Sequence, residues 1–139
     1  MKQEFYNLRI NTDGQRLYEF TDSTIEWVNE NKFKNGIINL SIQHTSASLI
    51  VQENADPDVQ TDLINYFNNL APMDDKLYIH TTEGKDDMPA HIKSALTNNQ
   101  ISLSLKNGEL ILGKWQGIYL FEHRLNTQLR IVVHHFLGD

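Results

Sequence analysis

From Ile101 onward the chain reads almost entirely as β-structure, and the Asn107-Gly108 pair dictates how its strands join. Ile101, Leu103 and Leu105 alternate with Ser102 and Ser104, the period-two pattern of a strand with one face buried. Lys106-Asn107-Gly108-Glu109 is a hairpin turn of the Asn-Gly type, favoured because its central positions take positive φ. Leu110 to Leu112 and Gly117 to Glu122 read as further strands, with Gly113 as a bend or bulge between them. Asn126-Thr127-Gln128 then turns the chain into a last strand, Leu129 to Phe136. Strands in hairpin order pair antiparallel, since a parallel pair needs a long crossover between its members.

The first half supplies the helices. Glu4 to Ile10 reads as a strand, and Asn11-Thr12-Asp13-Gly14 as a turn. Leu17 to Phe20 is a short strand or the lead into a helix over about 22–31. Thr21, Asp22 and Ser23 are candidate N-caps for that helix, Ser23 with Glu26 as a capping box. Asn35-Gly36 ends the segment. Gly36 to Ile42 and Leu49 to Val51 are strands. Asp56-Pro57-Asp58 opens a second helix, with a capping carboxylate, a proline at the first helical position and an acid at the positive end of the dipole. Val59, Leu63, Phe67 and Leu70 give it one apolar face, and Pro72 marks its end. Leu77 to His80 alternates as a short strand. A third helix runs from Met88-Pro89 to Leu96, with Asp86 or Asp87 as its cap. The expected fold is α+β: a single domain over residues 1–139, mostly an antiparallel β-sheet, with two or three helices packed on one face.

Composition excludes several classes. The chain has 139 residues and no cysteine, so disulfides and thiolate metal sites are absent and a metal must sit on His, Asp or Glu. A net charge of −6 argues against non-specific nucleic-acid binding. No apolar run reaches the roughly 20 residues of a membrane span. The N-terminus carries Glu4 and lacks the apolar core of a signal peptide, which fits a cytoplasmic setting. There is no Walker-A loop, no dinucleotide fingerprint and no G-x-S-x-G elbow.

Three polar blocks place histidines at element ends: Q-H-T-S-A-S around His44, H-T-T-E-G-K-D-D-M-P-A-H from His80 to His91, and G-K-W-Q-G-I-Y-L-F-E-H ending at His123. His44 projects from a strand end or is satisfied by a backbone carbonyl. His80 faces a cleft or solvent. His91, near a helix N-terminus, is held toward the neutral ring that binds metal or acts as a base. Glu122 follows Ile118 and Leu120 on one strand face and is placed at a cleft rim, as ligand, general base or orienter. Lys85, Ser94, Thr81 and Thr82 gather near a helix N-terminus that could receive a phosphate. Trp115 and Gln116, between Gly113 and Gly117, mark close backbone approach; the Trp is core or a stacking surface. His134 and His135 face opposite sides of the last strand, so at most one is functional.

Q-H-T-S-A-S-L-I-V-Q-E-N-A-D-P-D-V, Y-I-H-T-T-E-G-K-D-D-M-P-A-H-I-K-S-A-L and N-G-E-L-I-L-G-K-W-Q-G-I-Y-L-F-E-H, in this order, resemble the YjbQ-like family, also called the secondary thiamine-phosphate synthase enzyme family. The resemblance implies a compact α+β domain, a homotrimer and a polar histidine pocket holding a divalent metal ion. By motif match it makes His44, His80 and His91 the pocket histidines and metal ligands, with Glu122 beside them as a catalytic residue. It implies a thiamine-phosphate synthase-type transferase acting on a small phosphorylated substrate, with Lys85, Ser94, Trp115 and Gln116 on the substrate side. Two other readings of the same pocket are metal-assisted hydrolysis of a small phosphorylated metabolite, and metal or anion binding without efficient catalysis. The chain departs from the usual G-T-W-Q by Lys114, and ends H-H-F-L-G-D where relatives lack paired histidines.

Overall fold

The computed structural model describes residues 1–139. The strands are β1 (Lys2–Asp13), β2 (Arg16–Glu19), β3 (Gly36–Ile42), β4 (Ala47–Glu53), β5 (Gln100–Lys106), β6 (Glu109–Leu110), β7 (Gln116–Glu122) and β8 (Thr127–Gly138). The helices are α1 (Thr21–Asn31), α2 (Pro57–Leu70) and α3 (Asp87–Leu96), with a 3-10 turn at Asp75–Leu77. All strand pairs are antiparallel, but the expected hairpin order holds only for β5–β6: β7 lies in a different sheet from β6 and β8, and the other pairs join strands that are not consecutive.

The expected single sheet is two. One has the order β1-β8-β3-β5-β6, the other β2-β7-β4. The division follows from β7. Ile118 and Leu120 face the core between the sheets, while Tyr119 and Phe121 face a second cluster on the far side. A strand buried on both faces needs a layer on each, hence the run Gly-Ile-Tyr-Leu-Phe where a one-sided strand would alternate. The five-stranded sheet contributes Ile38, Leu40, Ile42, Leu103, Leu105, Val132 and Phe136 to the core between the sheets. Its outer face carries no helix and exposes Phe5, Ile37, Leu129 and Leu137.

Helices lie on the side of the three-stranded sheet. α2 rests Leu63, Ile64 and Phe67 on Leu17, Tyr119 and Phe121, yet none of its residues is fully buried. It starts as the sequence predicts, with Asp56 accepting from the Asp58 N–H and Pro57 at the first position. α1 starts differently. No side chain caps it, because Thr21 donates to Glu19 and accepts from the Ile118 N–H instead. Its C-terminus turns on Lys32 in a left-handed conformation, before the expected Asn35-Gly36. Leu77 to His80 is not a strand: Asp74 caps the 3-10 turn, and the residues after it pair with no strand. No helix is long and apolar enough to cross a membrane.

Candidate functional site

The site lies where β3, β4, β7 and β8 end together. Ala47 pairs with Glu122, and Ile42 pairs with Val132 in the sheet behind. The segment after β3 therefore carries His44 and Thr45 across the mouth of the sandwich, and α3 packs there on β4. Ser94 of α3 donates to the Ala47 carbonyl at 2.9 Å.

Four side chains converge at the start of α3. His80, Glu83, Asp87 and His91 each present a ligand-type atom, all within 4.8 Å of one another. The Asp87 Oδ2 lies 2.7 Å from His80 Nε2 and 3.1 Å from His91 Nε2. The Glu83 Oε2 is 3.0 Å from the same His80 nitrogen. Asp87 and His91 are four apart on one helix, so they share a face. The loop carrying His80 and Glu83 folds back over that face. His91 donates through Nδ1 to the Thr45 carbonyl at 2.9 Å, which turns Nε2 toward Asp87, as an N–H when the ring is charged and as a lone pair when it is neutral. Hydrogen bonding to Asp87, joined by the charges of Asp87 and Glu83 and opposed by burial, raises the pKa of His80. Burial pushes Asp87 up, but the hydrogen bond to His80 and the charges of His91 and Arg124 outweigh it, and the net shift is downward.

His44 stands apart from this cluster. Its Nε2 accepts the Ile131 N–H at 3.1 Å, so the neutral ring carries its proton on Nδ1. Burial, with Arg130 nearby, lowers its pKa despite Glu122. It meets His91 through a shared cleft of about 380 Å³, lined also by Thr45, Ser94, Ala95, Thr97 and Asn99. The expected trio is thus a pair, His80 and His91, completed by Glu83 and Asp87, with His44 across the cleft. The spacing Asp87-x-x-x-His91 was the sequence signal for the missing carboxylate. It was masked by the expectation that Asp86 or Asp87 caps α3. Neither does so through its side chain, because Arg124 draws both carboxylates away.

Glu122 is not at a rim. It is fully buried, bound by Arg130 at 2.7 and 2.6 Å and by Thr12 at 2.6 Å, and it accepts the N–H groups of His123 and Arg124. Both its oxygens are taken by protein partners, and it does not line the cleft. Ser94 lines the cleft with its proton already given to Ala47. Lys85 is exposed in the loop between Glu83 and Asp87. Trp115 and Gln116 lie at the opposite end of β7 from Glu122, about 20 Å away at strand rise. There Lys114 sits over the exposed Trp115 ring, and Gln116 bonds back to the Gly113 N–H. Within one chain neither reaches the cleft. His134 is buried against Thr24, and His135 stacks on Phe5, both away from the cluster.

A two-sheet α+β domain with a His/carboxylate cluster at the head of its third helix is the class that fold and site define. The chain belongs to the UPF0047 protein YjbQ-like family, whose model matches residues 6–139. It is 48% identical to a UPF0047 protein of Synechocystis sp. over 132 residues, 95% of this chain and 90% of that one. A solved yjbq/upf0047 family protein of Clostridium acetobutylicum superposes with a TM-score of 0.82 at 30% identity, covering 96% of this chain and 99% of that one. A YbjQ-like protein of Sulfolobus solfataricus shares the fold, with a TM-score of 0.85 at 20% identity over 99% of this chain and 100% of that one.

Proposed function

We propose that this is a cytoplasmic enzyme that uses a divalent metal ion, held by His80, Glu83, Asp87 and His91, to act on a small phosphorylated metabolite in the adjoining cleft. One observation carries the reading. With Nδ1–H given to Thr45, His91 aims Nε2 at the Asp87 carboxylate 3.1 Å away. Two acceptors that close need a positive centre between them, a proton or a cation. Two imidazoles and two carboxylates in reach of one point suit Zn²⁺, Mn²⁺ or Fe²⁺ better than Ca²⁺ or Mg²⁺, which prefer oxygen alone. When bound, such an ion supplies Lewis acidity toward a phosphoryl or pyrophosphate oxygen. The residues of the chain do the rest. His44 presents an Nδ1–H donor, Thr45, Thr97 and Asn99 line the cleft, and Lys85 in the adjoining loop offers the nearby cation. No Lys or Arg lines the cleft itself, so phosphate charge must be met at its metal end.

The reaction the sequence resemblance implies is transfer of a pyrimidine from its pyrophosphate to a thiazole phosphate. Charge builds on the departing pyrophosphate, as the metal end of the cleft requires. The bare outer face of the five-stranded sheet supports assembly as a homotrimer. The test is metal uptake by the purified protein beside His80→Ala and His91→Ala variants, with pyrophosphate release followed on the two thiamine precursors. About one metal per chain, lost in both variants together with turnover, is the expected result. No uptake of Zn²⁺, Mn²⁺ or Fe²⁺ would sink the metal reading. Metal-dependent release of inorganic phosphate without coupling would replace transfer by hydrolysis.

A further inference from the structure

Arg124 lies just beyond β7, far in sequence from the α3 cluster, yet each of its guanidinium nitrogens donates to a residue in or beside it. Nη1 donates to Asp87 Oδ1 at 2.7 Å, Nε to Asp86 Oδ2 at 2.9 Å, and Nη2 to the Glu83 carbonyl at 2.9 Å. One planar fork therefore grips both acidic residues at the head of α3 and the loop that carries Glu83. The consequence for Asp87 is geometric. Its Oδ1 is taken by Arg124, so Oδ2 is the oxygen turned to His80 and His91. Asp87 is almost fully buried, and Arg124 shares with His80 and His91 the task of compensating a carboxylate there.

Arg124 is itself fixed from below. Its N–H donates to Glu122 Oε2, and Glu122 is held in turn by the buried Arg130. Asp86 ties the same segment a second time by accepting the Leu125 N–H at 2.9 Å. On the loop side, a Cβ at residue 84 would come within 2.9 Å of Asp86 Oδ1, so the Asp86 carboxylate would have to shift. The Gly84 φ of +107° is one that side chains rarely adopt. The chain thus brings two distant segments, 80–87 and 122–125, into one rigid unit behind the four ligand-type side chains.

We infer that Arg124 is the positioning residue of the metal site: by clamping Asp87 Oδ1, Asp86 and the Glu83 carbonyl, it pre-orders the cluster for a divalent cation. This rests on the metal reading given above. Partners of metal ligands, when removed, commonly weaken metal affinity by about 10- to 100-fold. The clamp predicts a loss in that range for Arg124→Gln. Arg124→Lys keeps the charge but cannot make the forked contacts, so it recovers only part of the affinity.

The experiment is titration of the metal-free protein with Zn²⁺, by calorimetry or chelator competition, with thermal melting of the same samples. Co²⁺ absorption reports the ligand geometry independently. Expected are weaker Zn²⁺ binding by about 10- to 100-fold in Arg124→Gln and an altered Co²⁺ spectrum, in protein that still melts cooperatively. If Arg124→Gln does not fold, Arg124→Lys decides, and Zn²⁺ binding must be weaker than wild type. Wild-type Zn²⁺ affinity and Co²⁺ spectrum in the folded variant, with only the melting temperature lowered, would overturn the inference and leave Arg124 a structural link. Failure of the wild-type chain to bind either ion would overturn the metal reading and, with it, the positioning role.

Discussion

Buried histidines set how single residues respond to pH. His134 is fully buried, its Nε2 2.8 Å from the Thr24 hydroxyl, and burial pushes its pKa down to about 4. His123 is equally buried beside Ser48, and burial, with the charges of Lys93 and Arg130, pushes it down to about 3. Both rings titrate near 6.5 once the chain unfolds. Below that value the unfolded chain takes up protons that the folded chain refuses, so stability falls with pH. The loss approaches about 1.4 kcal/mol per pH unit for each ring as pH drops below 6.5, ending near pH 4 for His134 and near pH 3 for His123. Urea melts at pH 7 and pH 5 should show this slope, and His134→Gln should flatten it; an unchanged slope in the variant would assign the effect elsewhere. His80 behaves oppositely, since its contact with Asp87 raises its pKa. Asp87→Asn should bring the His80 titration back down in an NMR pH series. A titration that does not move would mean that the pair is not formed in solution.

At the scale of elements, α2 is the weakest attachment. It is amphipathic as its sequence spacing requires, but it covers the three-stranded sheet with half-buried side chains only. Phe67 packs edge-to-face on Phe121 at 5.6 Å. Phe67→Ala should cost about 2 kcal/mol, below the usual range for a fully buried aromatic, and amide exchange in α2 should be faster than in β7 or β8. Equal protection of helix and strands would refute this view of α2. Leu40, buried between the sheets, sets the contrast: Leu40→Ala should cost about 2–5 kcal/mol in the same melts. Element types were largely legible. Asp56-Pro57-Asp58 opens α2 because capping is local chemistry, and Asn107-Gly108 turns β5 into β6 for the same reason. α1 begins within one residue of its expected start, but its expected side-chain cap and the strand expected from Leu77 to His80 were not legible. At Thr21 a partner 97 residues away, the Ile118 N–H, overrides local preference; at His80 it is Asp87, 7 residues on, reached because the intervening loop folds back.

Across the whole molecule, the five-stranded sheet leaves one face bare, with Phe5, Ile37, Leu129 and Leu137 exposed on three neighbouring strands. If that face joins copies of the chain, Ile37→Glu should lower the mass measured by light scattering from trimer to monomer without changing the circular dichroism of the fold. A monomeric wild-type protein would remove the assembly from the proposal. The strand periodicities, the Asn-Gly turn, the cap of α2 and the absence of cysteine follow from neighbours along the chain, and the sequence by itself determines them. That is why α+β, the β5–β6 hairpin and the exclusion of a thiolate site were readable in advance. The membership of the cluster depends on which ends meet. Only the tertiary structure puts His80 beside Asp87, moves His44 across the cleft, buries Glu122 beneath Arg130 and sends Trp115 to the far end of β7. Thr45–His91 and Thr12–Glu122 join residues 46 and 110 apart, while His80–Asp87 and Arg130–Glu122 are 7 and 8 apart and depend on how the loop between them folds back; no local pattern encodes either.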